Sequence, residues 1–113
     1  MTDEVQFLVQ GSDPEPYAVT FHRRGSELRA SCTCRAGQFG SHCKHRIAIL
    51  IGNPAAIVSE NEEDCATVAE WLNDSPWSEA VAEFVEAERV LGSAKRRVAK
   101  AKKQMSRMMT GAP

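Results

Sequence analysis

Hydrophobic and polar residues alternate in the first third of the chain, which is the pattern of β-strands with one buried face. The alternating segments span residues 4–10, 17–23 and 27–32. A run of turn-forming residues separates the first two, and Arg24-Gly25-Ser26 supplies a turn between the second and third. This spacing predicts a β-hairpin joined by one further strand in a three-stranded antiparallel sheet.

The pattern becomes helical after Cys43. Residues 43–52 predict a short apolar helix that ends at a glycine. Ser59 and Glu62 match a capping box and predict a further helix over residues 60–73. Residues 35–42 contain two glycines and show no period, so we expect a loop there.

A long amphipathic helix is predicted over residues 76–109, with Ser75 as its N-cap. Large apolar residues recur every seven positions, and small ones, mostly alanine, follow three positions later. Such a heptad pattern predicts a coiled-coil-like packing face. Its two rows are Trp77, Phe84, Leu91, Val98 and Met105, and Ala80, Ala87, Ala94, Ala101 and Met108.

The composition is that of one folded domain, with 42% hydrophobic residues in 113. The longest apolar run, residues 47–51, is far shorter than the roughly 20 residues of a membrane span. The first residues carry acids where a secretion signal has bases. We therefore expect a reducing, cytoplasmic location, with association to a nucleoid or nucleus left open.

Three of the four cysteines lie within twelve residues. In a reducing compartment, clustered cysteines indicate metal ligands more often than disulfides. Cys32 and Cys34 point to the same side of an extended strand, and a glycine-containing loop can return Cys43 and His45 to them. Three thiolates and one imidazole complete the tetrahedron that Zn²⁺ prefers.

The spacing C-x-C-x8-C-x-H resembles that of the SWIM zinc finger, and the hairpin before it and the apolar helix after it resemble the layout of that family. The resemblance covers roughly residues 17–53. It implies that Cys32, Cys34, Cys43 and His45 are the zinc ligands. It also implies a role in DNA binding or protein–protein interaction.

Other interpretations of these residues compete with structural zinc. The cysteines could be reduced core residues, or Cys32 and Cys34 a redox pair, although redox pairs commonly use C-x-x-C at a helix start. A catalytic zinc needs an open position and a nearby base, and the ligand loop has no Asp or Glu. His42 is an alternative to His45 as fourth ligand, and Cys65 follows the apolar face of a helix.

The net charge of the chain is −1, but its charged residues are segregated into three zones. Residues 17–53 are basic, residues 54–88 contain ten acids and no Lys or Arg, and residues 89–113 contain eight bases and no acid. Basic clusters are typical of surfaces that contact phosphate. The candidate binding residues are Arg23, Arg24, Arg29, Arg35, Lys44 and Arg46 around the ligands, and Lys95, Arg96, Arg97, Lys100 and Lys103 in the long helix.

Together these patterns predict a small α+β protein, with a zinc-binding module in residues 1–58 and a helical extension in residues 59–113. We expect a non-catalytic zinc-finger interaction protein that binds DNA or acts within a DNA-associated complex. The alternative is a protein–protein adaptor or inhibitor, of the kind that mobile elements encode, working through the long helix. Expected partners are nucleic acid and a protein or second copy, without a membrane or a small-molecule substrate.

Overall fold

A computed structural model describes residues 2–111. The chain forms three strands, β1 (Thr2–Val9), β2 (Tyr17–Arg24) and β3 (Glu27–Cys32), which pair antiparallel in the order β1-β2-β3. Four helices follow, α1 (Arg35–Gln38), α2 (Lys44–Leu50), α3 (Cys65–Asn73) and α4 (Trp77–Thr110), with a 3-10 turn, Glu62–Asp64, before α3. The predicted α+β class, with a three-stranded sheet and a long C-terminal helix, is confirmed.

One face of the sheet carries the core. Phe7 and Val19 are partners on β1 and β2, Phe21 follows on the same face, and all three are fully buried. The rings of Phe7 and Phe21 meet edge to face with centroids 6.2 Å apart. Side chains from later elements complete the same cluster, namely Ile49, Ile57, Val68, Trp71 and Leu72.

The outer edge of β1 is covered by the chain that follows α2. The backbone of Val58 donates to Leu8 O at 2.8 Å, and Gln10 donates to Ala56 O at 2.8 Å. The Leu8 N–H donates to the hydroxyl of Ser59 at 3.0 Å. The Ser59 hydroxyl therefore bonds to the sheet and not to a helix, and the capping box predicted with Glu62 is wrong. No side chain caps the 3-10 turn or α3, and α3 begins at Cys65.

The other helix boundaries lie close to the predicted ones. α2 ends before Gly52, whose φ of 82° is the left-handed conformation that favours glycine. The N–H of Trp77 donates to Ser75 Oγ at 3.2 Å, which confirms the predicted cap of α4. Residues 35–42, expected as a loop, contain the single turn α1.

The chain divides into two compact units, one up to Val81 and one from Ala82 onward. The first contains the sheet and α1 to α3, and Trp77 and Val81 pack against its core. The second is the remainder of α4, in which no residue is buried. The predicted division after residue 58 stays a prediction. Within residues 2–111, no helix combines the length and the apolar character that a membrane span requires.

Adjacent residues on the two faces of β1 provide a test of this packing. Replacing the fully buried Phe7 by alanine should destabilise the protein by about 3–5 kcal/mol, because it removes a ring from the centre of the core. Leu8→Ala, on the opposite face, should cost less than about 1 kcal/mol. Urea unfolding of the zinc-loaded variants measures both, and equal losses would contradict the register.

Candidate metal centre

The ends of three elements bring the four predicted ligands together. Cys32 is the last residue of β3, Cys34 caps α1, Cys43 caps α2, and His45 lies in the first turn of α2. All four are buried, and one ligand atom from each lies within 4.8 Å of the others. Thr33, between the first two, is fixed to β2 because its N–H donates to Ala18 O at 3.1 Å.

The donor set and its spacing fit Zn²⁺. Bonds of about 2.3 Å to sulfur and about 2.0 Å to nitrogen place two tetrahedral ligands roughly 3.5 Å apart. His45 Nδ1 lies 3.8 Å from Cys32 Sγ. Within residues 2–111, the other ring nitrogen, the buried Nε2 of His45, meets no hydrogen-bond partner, so the polar contact of the ring is made by Nδ1 on the side of the thiols. The four side chains Cys32, Cys34, Cys43 and His45 therefore offer a donor set that fits one zinc ion.

Backbone N–H groups point at all three sulfur atoms. Cys34 N–H lies 3.5 Å from Cys32 Sγ, Gly37 N–H donates to Cys34 Sγ at 3.3 Å, and Arg46 N–H donates to Cys43 Sγ at 3.4 Å. The last two bonds also cap α1 and α2. Each cysteine that precedes a helix therefore serves both as ligand and as N-cap, which couples helix formation to the metal site.

Arg46 lies against the site with its guanidinium group. Its Nε donates to Cys43 Sγ at 3.2 Å, and its two terminal nitrogens donate to Ala30 O at 3.2 Å and to Ser41 O. Zinc with three thiolates carries a formal charge of −1. The arginine partly balances this charge and joins β3, the ligand loop and α2.

The surroundings tune the protonation of the ligands. Burial raises the pKa of the Cys32 thiol to about 12. Burial also raises the pKa of Cys43, but hydrogen bonds from the backbone and side chain of Arg46 outweigh it and hold that pKa below its usual value. Burial, and then the charge of Lys44, lower the pKa of His45, which favours the neutral ring that a metal requires.

Two residues that pack beside His45, Tyr17 and Gly11, were not predicted from the sequence. The Tyr17 ring lies against the imidazole with centroids 4.8 Å apart. A Cβ at Gly11 would overlap the Tyr17 ring and lie 2.9 Å from His45 Nε2. Gly11 reads as an ordinary turn residue in the sequence, and only the return of this turn to the site shows that it must lack a side chain.

His42 is exposed and does not join the ligand cluster, so His45 is the histidine of the site. Cys65 lies outside the cluster, partly buried against the core. Burial and the neighbouring Asp64 and Glu62 raise its pKa.

The basic residues around the site fall into two groups. Arg23 has partners: it pairs with Asp3 at 3.1 Å and lies over the Trp71 ring at 5.5 Å. Arg46 is occupied by the metal site, as described above. The other four are exposed: Arg24, Arg29, Arg35 and Lys44. All five predicted residues of α4 are exposed as well: Lys95, Arg96, Arg97, Lys100 and Lys103.

Comparison with known families supports the zinc site. The model of the SWIM zinc finger family matches residues 7–51, and the four clustered side chains occupy its C-x-C-x8-C-x-H pattern. This segment is therefore a SWIM-type zinc finger, as the sequence predicted, and it includes the last three residues of β1 as well as the hairpin and α2. No curated protein and no solved structure matches the chain.

We expect the protein to bind about one zinc per chain and to lose its cooperative unfolding transition when the metal is removed by a chelator. Cys43→Ala should abolish zinc binding, because it removes a ligand. Cys65→Ala is the matched control and should retain the metal. Zinc content by atomic emission and unfolding by circular dichroism measure both; a wild-type zinc content in Cys43→Ala would contradict the site.

Substitutions at two glycines distinguish the effect of the geometry of the metal site from the effect of helix propensity. A Cβ at Gly37 would overlap the backbone carbonyl of Cys32, so Gly37→Ala should cost about 1–3 kcal/mol and weaken zinc binding. A Cβ at Gly92 meets only the end of the Arg96 side chain, so Gly92→Ala should stabilise α4 by up to about 1 kcal/mol. Competition with a zinc-binding dye measures affinity, and unchanged affinity in Gly37→Ala would contradict this geometry.

Proposed function

We propose that this protein is a non-catalytic zinc-finger module that binds nucleic acid, DNA in the first instance, through residues 35–44 beside the metal. The observation that carries the proposal is the exposure of Phe39: this residue directly follows α1 and is 74% exposed. The guanidinium carbon of Arg35 lies 5.9 Å from the centroid of this ring. Phe39 did not stand out in the sequence, because a single aromatic residue in a loop has no pattern.

An exposed aromatic ring beside a cation is the arrangement on which single-stranded bases stack while their phosphates meet positive charge. Lys44 adds a further exposed charge one residue after the ligand Cys43. The ligand bonds and the N–H···S bonds of Cys34 and Gly37 hold this segment in place. Ordering it before binding reduces the entropy lost on binding.

The donor set supports a structural rather than a catalytic metal. Four protein ligands fill a tetrahedral zinc, whereas catalytic sites keep one position for water. The cluster contains no carboxylate that could serve as a general base. The role of the metal is then to order the surface formed by residues 35–44, and the activity of the protein is binding.

The remaining exposed bases would add affinity without reading sequence. Arg24 and Arg29 lie on the outer face of the sheet and share a shallow hollow with His22 and Glu27. Arg29 is bonded to Glu27 at 2.7 Å, so Arg24 is the freer of the two. The basic half of α4 offers further phosphate contacts.

Fluorescence anisotropy with a labelled oligothymidine strand and a matched duplex, each at two salt concentrations, tests the proposal. Phe39→Ala should weaken single-strand binding by about 1–3 kcal/mol through lost stacking, while Phe39→Trp retains it. Lys44→Ala should reduce the slope of log affinity against log salt by about 0.7, the value expected for one phosphate contact.

Val58→Ala, which shortens another exposed apolar side chain, is the control and should leave affinity unchanged. Unchanged binding in Phe39→Ala, or no binding to either oligonucleotide at low salt, would refute the proposal. The zinc content of each variant is measured as well, to establish whether the fold is retained.

The second candidate function is that of a protein–protein adaptor or inhibitor acting through α4. The observation that favours it is the apolar row of this helix, of which Phe84, Leu91, Val98 and Met105 are each at least 37% exposed. Binding through such a row would survive high salt, whereas binding to phosphate would weaken steeply. The cytoplasmic location remains an expectation.

A further inference from the structure

The part of α4 from Ala82 onward presents two rows of apolar residues to solvent. The first row, called here the large row, consists of Phe84, Leu91, Val98 and Met105, which are 37–53% exposed. The second, called here the small row, lies three positions later along the helix and contains Ala87, Ala94 and Ala101. Neither row includes a charged residue. A two-row stripe of this kind is suited to pack against one other helix.

The alternation of large and small residues selects the direction of that helix. Two parallel copies in register would place large residues opposite large ones and alanine opposite alanine, which leaves gaps at the alanine layers. In an antiparallel pair the large row of one copy lies opposite the small row of the other. One register pairs six of these seven residues: Leu91 lies opposite Ala94 of the second copy, Phe84 opposite Ala101, and Val98 opposite Ala87, while Met105 lies opposite Ala80.

The charges that flank the two rows select the same direction independently. A parallel pair in register would set Glu83 beside Glu88 of the second copy and Arg97 beside Lys102, both repulsive. The antiparallel register sets Glu88 beside Lys95 of the second copy, and symmetry repeats this attractive contact.

We propose that α4 pairs with α4 of a second copy of this chain, antiparallel and in the register that places Leu91 opposite Ala94. This homodimer does not depend on the nucleic-acid binding proposed above. Arg96, Lys100 and Lys103 lie away from the two rows and remain on its outer side. The dimer therefore carries two copies of each basic surface on one molecule.

Sedimentation equilibrium of the zinc-loaded full chain tests the pairing, and the expected mass is twice 12.4 kDa. Glu88→Lys brings two lysines together across the antiparallel interface and should raise the dimer dissociation constant by about tenfold, since the contact occurs twice. Lys95→Glu should have the same effect. The double variant Glu88→Lys with Lys95→Glu exchanges the charges and should restore wild-type affinity.

These substitutions report on the second copy alone, because neither Glu88 nor Lys95 has a charged residue three or four positions away on its own helix. Arg96→Glu is the control; it also reverses a charge on α4 but lies away from the two rows, and it should leave the dissociation constant unchanged. In a parallel dimer Glu88→Lys would face Glu83 and tighten the pair. A tighter dimer in Glu88→Lys, failure of the double variant to restore affinity, or a monomeric wild-type protein would overturn the proposal.

Discussion

Three sulfur atoms and one imidazole share a buried volume in which each ligand lies within 4.8 Å of the others. Without a metal, thiolates at this separation repel one another, and burial keeps the Cys32 thiol protonated with a pKa raised to about 12. Zinc removes the repulsion and joins the end of β3 to the starts of α1 and α2. Metal junctions of this kind stabilise small domains with small cores, and here the junction holds both ends of the segment from residue 35 to residue 42 in place.

The metal junction and the packing of the sheet together determine which basic residues are free to act. Six Lys and Arg residues surround the ligands in the sequence, yet Arg46 is bonded to Cys43, Ala30 and Ser41. Arg23 lies between Asp3 and the Trp71 ring on the core side of the sheet. Counting charges along the chain therefore overstates the binding surface. What remains is a smaller set of exposed cations, with Arg35 next to an exposed aromatic ring.

Periodicity and ligand spacing were enough to predict the hairpin, the metal ligands, α2 and α4, because each depends on residues close together in the chain. The start of α3 could not be predicted in this way. The Ser59 hydroxyl that would cap a helix is instead bonded to Leu8, 51 residues earlier. The roles of Gly11 and Arg46 depend in the same way on contacts between distant segments. Phe39 was missed for a different reason, since exposure of one aromatic residue leaves no trace in the pattern of its neighbours.

The cover over the outer edge of β1 has a consequence for the order in which the protein folds. Asn61 donates to Gln6 O across 55 residues, and closing so long a loop costs less entropy when part of the chain between them is already ordered. Once formed, the hairpin and the metal junction fix much of residues 17–50 and so shorten this loop. Zinc capture should therefore precede closure of the edge, and a nascent chain waiting for metal would leave β1 open to pair with strands of other molecules.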